Sequence, residues 1–122
     1  MSRRILVIDD DPEILNIIQL CLEDSEYEVF SAKSGREGLR MAAEDVYDAV
    51  VLDVLMPDVD GLVVCRELRQ MPEYVSVPVI ILTGRMSQED QKDCLDAGAS
   101  RIIMKPFDSR QLLDVLEELI GI

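Results

Sequence analysis

Five side chains in this sequence are of types that could together handle a phosphoryl group: the carboxylates of Asp9, Asp10 and Asp53, the hydroxyl of Thr83 and the ammonium of Lys105. Each stands where an apolar run ends. Asp9 and Asp10 follow Ile5-Leu6-Val7-Ile8, Asp53 follows Ala49-Val50-Val51-Leu52, Thr83 follows Val79-Ile80-Ile81-Leu82, and Lys105 follows Ile102-Ile103-Met104. If the runs are neighbouring strands, the acids converge. Two carboxylates ~4 Å apart repel by about 4 kcal/mol at an effective dielectric of about 20. Such a site either retains a proton or holds a divalent cation. The chain has no His, and none of its three cysteines is near these acids in sequence, so the ligands on offer are oxygens and Mg2+ is the natural ion. Asp11 is a poorer ligand candidate, because Pro12 follows it and an Asp-Pro pair caps and opens a helix.

Asp53 is also a candidate nucleophile, since a carboxylate can attack phosphorus and form an acyl phosphate. Phosphoryl transfer asks mainly for in-line placement and for positive charge around the spreading oxygen charge. Mg2+ would supply one cation and Lys105 the other, Thr83 could donate its hydroxyl to a phosphoryl oxygen, and Gly84 leaves room for backbone approach. The Lys105-Pro106 bond is a candidate cis peptide that would aim the lysine into the cleft. Each signal alone has an ordinary explanation: an Asp after a strand caps a helix, a Thr ends a strand as a β-former, a Lys before Pro is a solvated charge. Their common position at one edge of a sheet is what carries weight.

The elements that must place these groups are legible as alternating apolar and helical periods. Strands are expected at 3–9, 27–31, 48–53, 77–83 and 101–104, and helices at 12–24, 35–45, 60–70, 87–97 and 109–120. Ser34-Gly35-Arg36-Glu37 fits a capping box, Asp108-Ser109-Arg110-Gln111 fits a weaker one, and Gly98 marks a helix end. A (βα)5 chain of this kind gives an α/β fold with a doubly wound five-stranded parallel sheet, its working groups at the carboxyl ends of the strands. Periodicity does not fix the strand order.

The chain of 122 residues reads as one domain, 1–122, with 48% hydrophobic residues, enough for a core without disulfides. Its net charge of −13 repels phosphate backbones, which argues against nucleic-acid binding by this domain. Cys21, Cys65 and Cys94 fall within helical patterns and read as small hydrophobes in a reducing compartment. No apolar stretch approaches the ~18 residues of a membrane span, and Met1-Ser2-Arg3-Arg4 leads straight into a strand, so a soluble, cytoplasmic protein without a membrane partner is expected.

Taken together, Ile5 to Asp11, Leu52-Asp53-Val54-Leu55-Met56-Pro57-Asp58-Val59-Asp60-Gly61, Pro78 to Gly84, Ala97-Gly98-Ala99 and Lys105-Pro106-Phe107 closely resemble the receiver domain of bacterial two-component response regulators of the single-domain chemotaxis type, along essentially the whole chain. The resemblance implies a flavodoxin-like fold with strand order 2-1-3-4-5. It implies that Asp53 accepts a phosphoryl group from a phosphohistidine on a sensor histidine kinase or histidine phosphotransfer protein. Asp9, Asp10 and Asp53 would hold Mg2+, Asp9 through water, with the backbone carbonyl of Leu55 completing the set. Thr83 and Lys105 would contact the phosphoryl group.

The family pattern places an aromatic residue three positions before the lysine, and here that position is Ile102. An isoleucine has no ring to turn inward. Switching is therefore expected to run through Thr83 and the loop 84–88 with Arg85 and Met86, while Leu55 and Arg85 flank the cleft and limit water access. Three rivals are weighed. A binding module that is never phosphorylated would not need the full acid, hydroxyl and ammonium set. A phosphohydrolase of the haloacid dehalogenase type wants an Asp where Leu55 stands, and a flavin carrier wants a phosphate-cradling loop where Asp9-Asp10-Asp11 stands. In the helix 109–120, Leu112, Leu113, Val115, Leu116, Leu119 and Ile120 are mostly core by their spacing. The cognate kinase, an output partner or C-terminal effector domain, and a homodimer are left open by the residues.

Overall fold

The computed structural model describes residues 3–23, 25–84 and 87–121, with the side chain of Glu23 left aside. Five strands, β1 (Arg3–Ile8), β2 (Tyr27–Ala32), β3 (Ala49–Asp53), β4 (Val79–Thr83) and β5 (Arg101–Met104), alternate with five helices, α1 (Pro12–Glu23), α2 (Gly35–Glu44), α3 (Gly61–Gln70), α4 (Gln88–Asp96) and α5 (Ser109–Ile120). All strand pairs are parallel and the order is β2-β1-β3-β4-β5, as the resemblance implies.

The sequence builds this sheet because its central strands are apolar on both faces. Every residue of β3 and β4 is buried, the pattern of parallel strands covered by helices on each side. Alternate residues feed two separate cores. Leu6, Ile8, Val50, Leu52 and Ile81 pack with Ala42, Val64, Cys65, Leu68 and Cys94 on the α2, α3 and α4 side. Ile5, Val7, Val51, Ile80, Leu82 and Ile103 pack with Leu15, Ile18 and Leu22 of α1 and with Leu112 and Leu116 of α5. Leu113, Val115, Leu119 and Ile120 lean on that second core half-buried, so the apolar face of α5 is mostly core. All three cysteines are free thiols, with Cys65 and Cys94 buried.

Most element boundaries fall where expected, and the exceptions have local causes. Asp60 and Ser87, assigned to helices by their spacing, are N-caps outside them. Pro78 has no N–H to give a strand ladder, so β4 opens at Val79 instead of 77. Ser34 caps α2 by accepting from Glu37 N–H at 3.1 Å, but the Glu37 carboxylate reaches toward Lys33 N–H and not Ser34, so that capping box is half formed. The reciprocal box closes at α4, where Ser87 and Asp90 exchange bonds of 3.1 Å. Asp108 caps α5 at the Arg110 N–H rather than at Gln111. Gly98 has φ +107° just after α4, where a side chain is disfavoured. A 3-10 turn at Pro72–Tyr74, absent from the periodicity, buries Tyr74 completely; its hydroxyl donates to the Asp45 carbonyl at 2.7 Å and accepts the Tyr47 N–H at 3.3 Å.

Candidate functional site

Parallel register carries the site residues to one edge. Ile8 pairs with Leu52, Asp53 with Leu82, and Thr83 with Met104, so Asp9, Asp53, Thr83 and Lys105 all emerge at the carboxyl ends of adjacent strands. Asp9, Asp53 and Thr83 are the buried polar or charged side chains among the described residues, at 1, 7 and 3% exposure. Burial of two carboxylates and a hydroxyl together where the strands' carboxyl ends meet marks a site rather than a core.

Carboxylate oxygens of Asp9, Asp10 and Asp53 lie within 4.8 Å of one another, with Asp10 exposed at the mouth. Lys105 reaches in from the far strand, its Nζ 3.3 Å from Asp9 Oδ2 and 3.4 Å from Asp53 Oδ1. The Lys105-Pro106 peptide is cis, as the sequence reading expects, and the Lys105 N–H donates to the Thr83 carbonyl at 2.7 Å. Asp9 Oδ1 accepts the Asp11 N–H at 2.9 Å, so both Asp9 oxygens have partners. Burial, reinforced by the Asp9 charge, pushes the Asp53 carboxyl above its usual range; Lys105 and the Leu55 N–H pull it only partly back. The pocket thus carries three acids against one ammonium, an excess that a divalent cation would match.

Asp11 stays out of the acid cluster and accepts the Glu13 N–H at 2.9 Å, the cap expected of it. Leu55 points its side chain to solvent, 66% exposed, while its N–H aims at Asp53 Oδ1 at 3.4 Å. Gly84 is exposed, and a Cβ there would meet nothing within 4 Å, so no crowding demands a glycine at this position. Ile102 is half-buried against the α2, α3 and α4 core, beside Ile81 in register. Arg85 and Met86, expected to take part in switching, lie outside the described residues.

Two residues of the 52–61 motif have roles in the site's frame that the sequence reading does not assign. Gly61 opens α3 so close to β3 that a Cβ would sit 2.3 Å from the Asp53 carbonyl oxygen, and its N–H donates to Val54 O at 2.8 Å. Asp58 accepts the N–H groups of Gly35 at Oδ1 and Arg36 at Oδ2, each at 3.1 Å, at the start of α2. A glycine directly after Asp60 is the available signal for the first. The second depends on a partner far away in sequence and leaves no local trace.

With that fold and acid pocket in place, comparison with known proteins is decisive: residues 5–117 match the model of the response regulator receiver domain, and the chain belongs to that family, the receiver domain of two-component signalling. It is 42% identical over 120 residues to the response regulator MprA of Mycolicibacterium vanbaalenii, covering 98% of this chain and 51% of that protein. It is 38% identical over 112 residues to the alkaline phosphatase synthesis transcriptional regulatory protein PhoP of Bacillus subtilis, covering 92% and 46%. The chain therefore spans about half the length of these curated relatives. Among solved structures, the chemotaxis protein CheY4 of Vibrio cholerae superposes with a TM-score of 0.93 at 30% identity, over 98% of this chain and 99% of that one. The receiver domain of the sensor histidine kinase PA1611 from Pseudomonas aeruginosa superposes with a TM-score of 0.91 at 32% identity, each chain covered completely, and has a magnesium ion coordinated in its active site cleft.

Proposed function

We propose that Asp53 is the phosphoacceptor of this receiver domain, taking a phosphoryl group from a phosphohistidine on a histidine kinase or histidine phosphotransfer protein. The observation that carries the reading is the Lys105 ammonium set between two buried carboxylates, Asp9 and Asp53, with a third acid at the mouth. In the transfer, an Asp53 carboxylate oxygen forms a bond to phosphorus while the phosphorus–nitrogen bond to the imidazole breaks, its electron pair leaving on the nitrogen. Lys105 faces the phosphoryl oxygens and balances their growing charge, and the Thr83 hydroxyl, buried at the end of β4, donates to one of them. Hydrolysis of the resulting acyl phosphate, catalysed by the domain on itself, resets the switch.

The donor set fits Mg2+: all-oxygen, three carboxylates within reach of one ion, and an uncompensated negative charge. Asp9, Asp10 and Asp53 would hold it, and the Leu55 carbonyl would complete the protein's share, as the family resemblance implies. When bound, the ion supplies positive charge at the phosphoryl oxygens. Conformational output would run from Thr83 into the segment after Gly84, including Arg85 and Met86, with Ile102 packed in place as a static wall instead of a turning ring. A cytoplasmic setting and an output partner or effector domain accord with this reading and with its longer relatives; no described helix is long and apolar enough to cross a membrane.

The test is incubation with an acyl phosphate donor and Mg2+. The chain should gain one phosphoryl group, labile to neutral hydroxylamine as an acyl phosphate is, and should gain none when the metal is chelated. A hydroxylamine-stable product would overturn the assignment.

A further inference from the structure

We infer that Asp58 is a positioning residue of this site, a carboxylate latch that fixes the loop between β3 and α3, and with it the Leu55 backbone, against the start of α2. The inference rests on the proposed function in so far as it assigns Leu55 a place in the metal site. Asp58 lies on the loop that leaves Asp53, and each of its oxygens takes one N–H from the first turn of α2, Gly35 and Arg36, at 3.1 Å. Those N–H groups have no acceptor within the helix, and the helix end carries partial positive charge, so an anion is held there with direction. The Asp58 carboxyl sits below its usual range because these N–H groups favour its charged form.

The latch closes a ring of backbone around the acid pocket. Asp9 N–H donates to Ala32 O at the end of β2 at 3.1 Å. From Ala32 the chain turns directly into Ser34 and Gly35, where Asp58 is bound. From Asp58 the loop runs back through Leu55, whose N–H faces Asp53 Oδ1 at 3.4 Å, to Asp53 itself. Packing locks the same joint: a Cβ at Gly35 would meet Val59 Cβ at 3.1 Å and Val64 Cγ2 at 2.9 Å. The other end of the loop is pinned independently, by Asp60 capping α3 at Leu62 N–H and by Gly61 N–H on Val54 O. Without Asp58, the stretch from Leu55 to Val59 loses its polar tie to α2 and keeps the packing of Val59 on Gly35 and the Gly61 anchor on Val54, so the Leu55 amide is less firmly placed beside Asp53.

The experiment compares the full chain with Asp58→Asn and with Ser34→Ala, which removes the N-cap of the same helix without touching the loop. The Leu55 amide proton resonance is followed in metal-free protein, then each chain is titrated with Mg2+. Asp58→Asn should move the Leu55 amide resonance and raise the Mg2+ dissociation constant at least fivefold, with phosphorylation by an acyl phosphate recovering at saturating Mg2+. Ser34→Ala should leave the Leu55 resonance in place and bind Mg2+ within twofold of wild type. An unmoved Leu55 resonance in Asp58→Asn, or an equal loss of Mg2+ affinity in Ser34→Ala, overturns the latch. Failure of the wild-type chain to take Mg2+ would instead overturn the proposed function, while the metal-free Leu55 resonance still reads the latch by itself.

Discussion

Lys105 donates from Nζ to Asp9 Oδ2 at 3.3 Å across 96 positions of sequence, and the same ammonium lies 3.4 Å from Asp53 Oδ1. One cation thus serves two acids that would otherwise repel in a buried pocket. Under the proposed function Lys105 has two duties, holding the acids in the resting domain and meeting a phosphoryl group on Asp53. Lys105→Met should therefore slow phosphorylation by an acyl phosphate at least tenfold, about 1.4 kcal/mol of lost transition-state stabilisation. Single-turnover rates at saturating Mg2+ check this, and a rate within twofold of wild type would remove Lys105 from the chemistry.

The raised Asp53 carboxyl gives a pH signature. Folding holds the Asp53 proton more tightly than the unfolded chain does, so this group's contribution is intact below the ordinary carboxylate range and is lost as pH rises through the folded value. Asp53→Asn removes that cost. In metal-free buffer at pH 7 the Asn variant should be the more stable, because burial and Asp9 repulsion outweigh the attraction of Lys105. The gap should close below about pH 4, where the wild-type acid is protonated in both states. Urea midpoints at the two pH values decide it, and an Asn variant less stable at pH 7 would contradict the account. Mg2+ should reverse the order by binding the native wild type.

Glycines near the site should separate sharply. A Cβ at Gly61 would press on backbone, 2.3 Å from Asp53 O and 2.6 Å from Val54 Cα, whereas one at Gly84 meets nothing within 4 Å. Gly61→Ala should cost at least about 2 kcal/mol and disturb phosphorylation. Gly84→Ala should change stability by no more than about 0.5 kcal/mol. Thermal or urea unfolding of the pair checks both.

At the opposite end of the sheet, Arg69 binds carbonyls instead of an acid. Its guanidinium donates to Gly98 O, Tyr74 O and Val77 O and to Ser100 Oγ, tying the segment after α3 to the turn after α4. Arg69→Met should destabilise the domain by about 2–4 kcal/mol, because several half-buried carbonyls lose a charged donor at once. Phosphorylation of the folded fraction should be unchanged, which urea unfolding and a rate measurement together test.

What the sequence made legible and what it hid divide along a physical line. Asp9, Asp53, Thr83 and Lys105 could be found because each terminates an apolar run, and parallel strands bring run ends together whatever lies between them. The helices likewise followed from period and caps. Strand order came only with the family resemblance, since burial on both faces is common to β1, β3 and β4. Asp58, Arg69 and Tyr74 stayed hidden because their roles lie in contacts with distant backbone, Gly35, Gly98 and Asp45, and nothing in the local sequence records such a partner. Arg4 is similar: its guanidinium lies over the contacting rings of Phe30 and Tyr47, 4.8 and 5.0 Å from their centroids, and pairs with Asp45, a joint that placing Arg4 in the first strand could not show.

The central claim, a labile phosphate carried on Asp53, is tested most directly by locating the modified residue. After phosphorylation with an acyl phosphate and Mg2+, borohydride reduction converts a phosphorylated aspartate to homoserine, which peptide sequencing by mass spectrometry can place. Homoserine at position 53, with none formed in Asp53→Asn, is the predicted result; homoserine at Asp9 or Asp10, or an unmodified Asp53 in a phosphorylated chain, would contradict it.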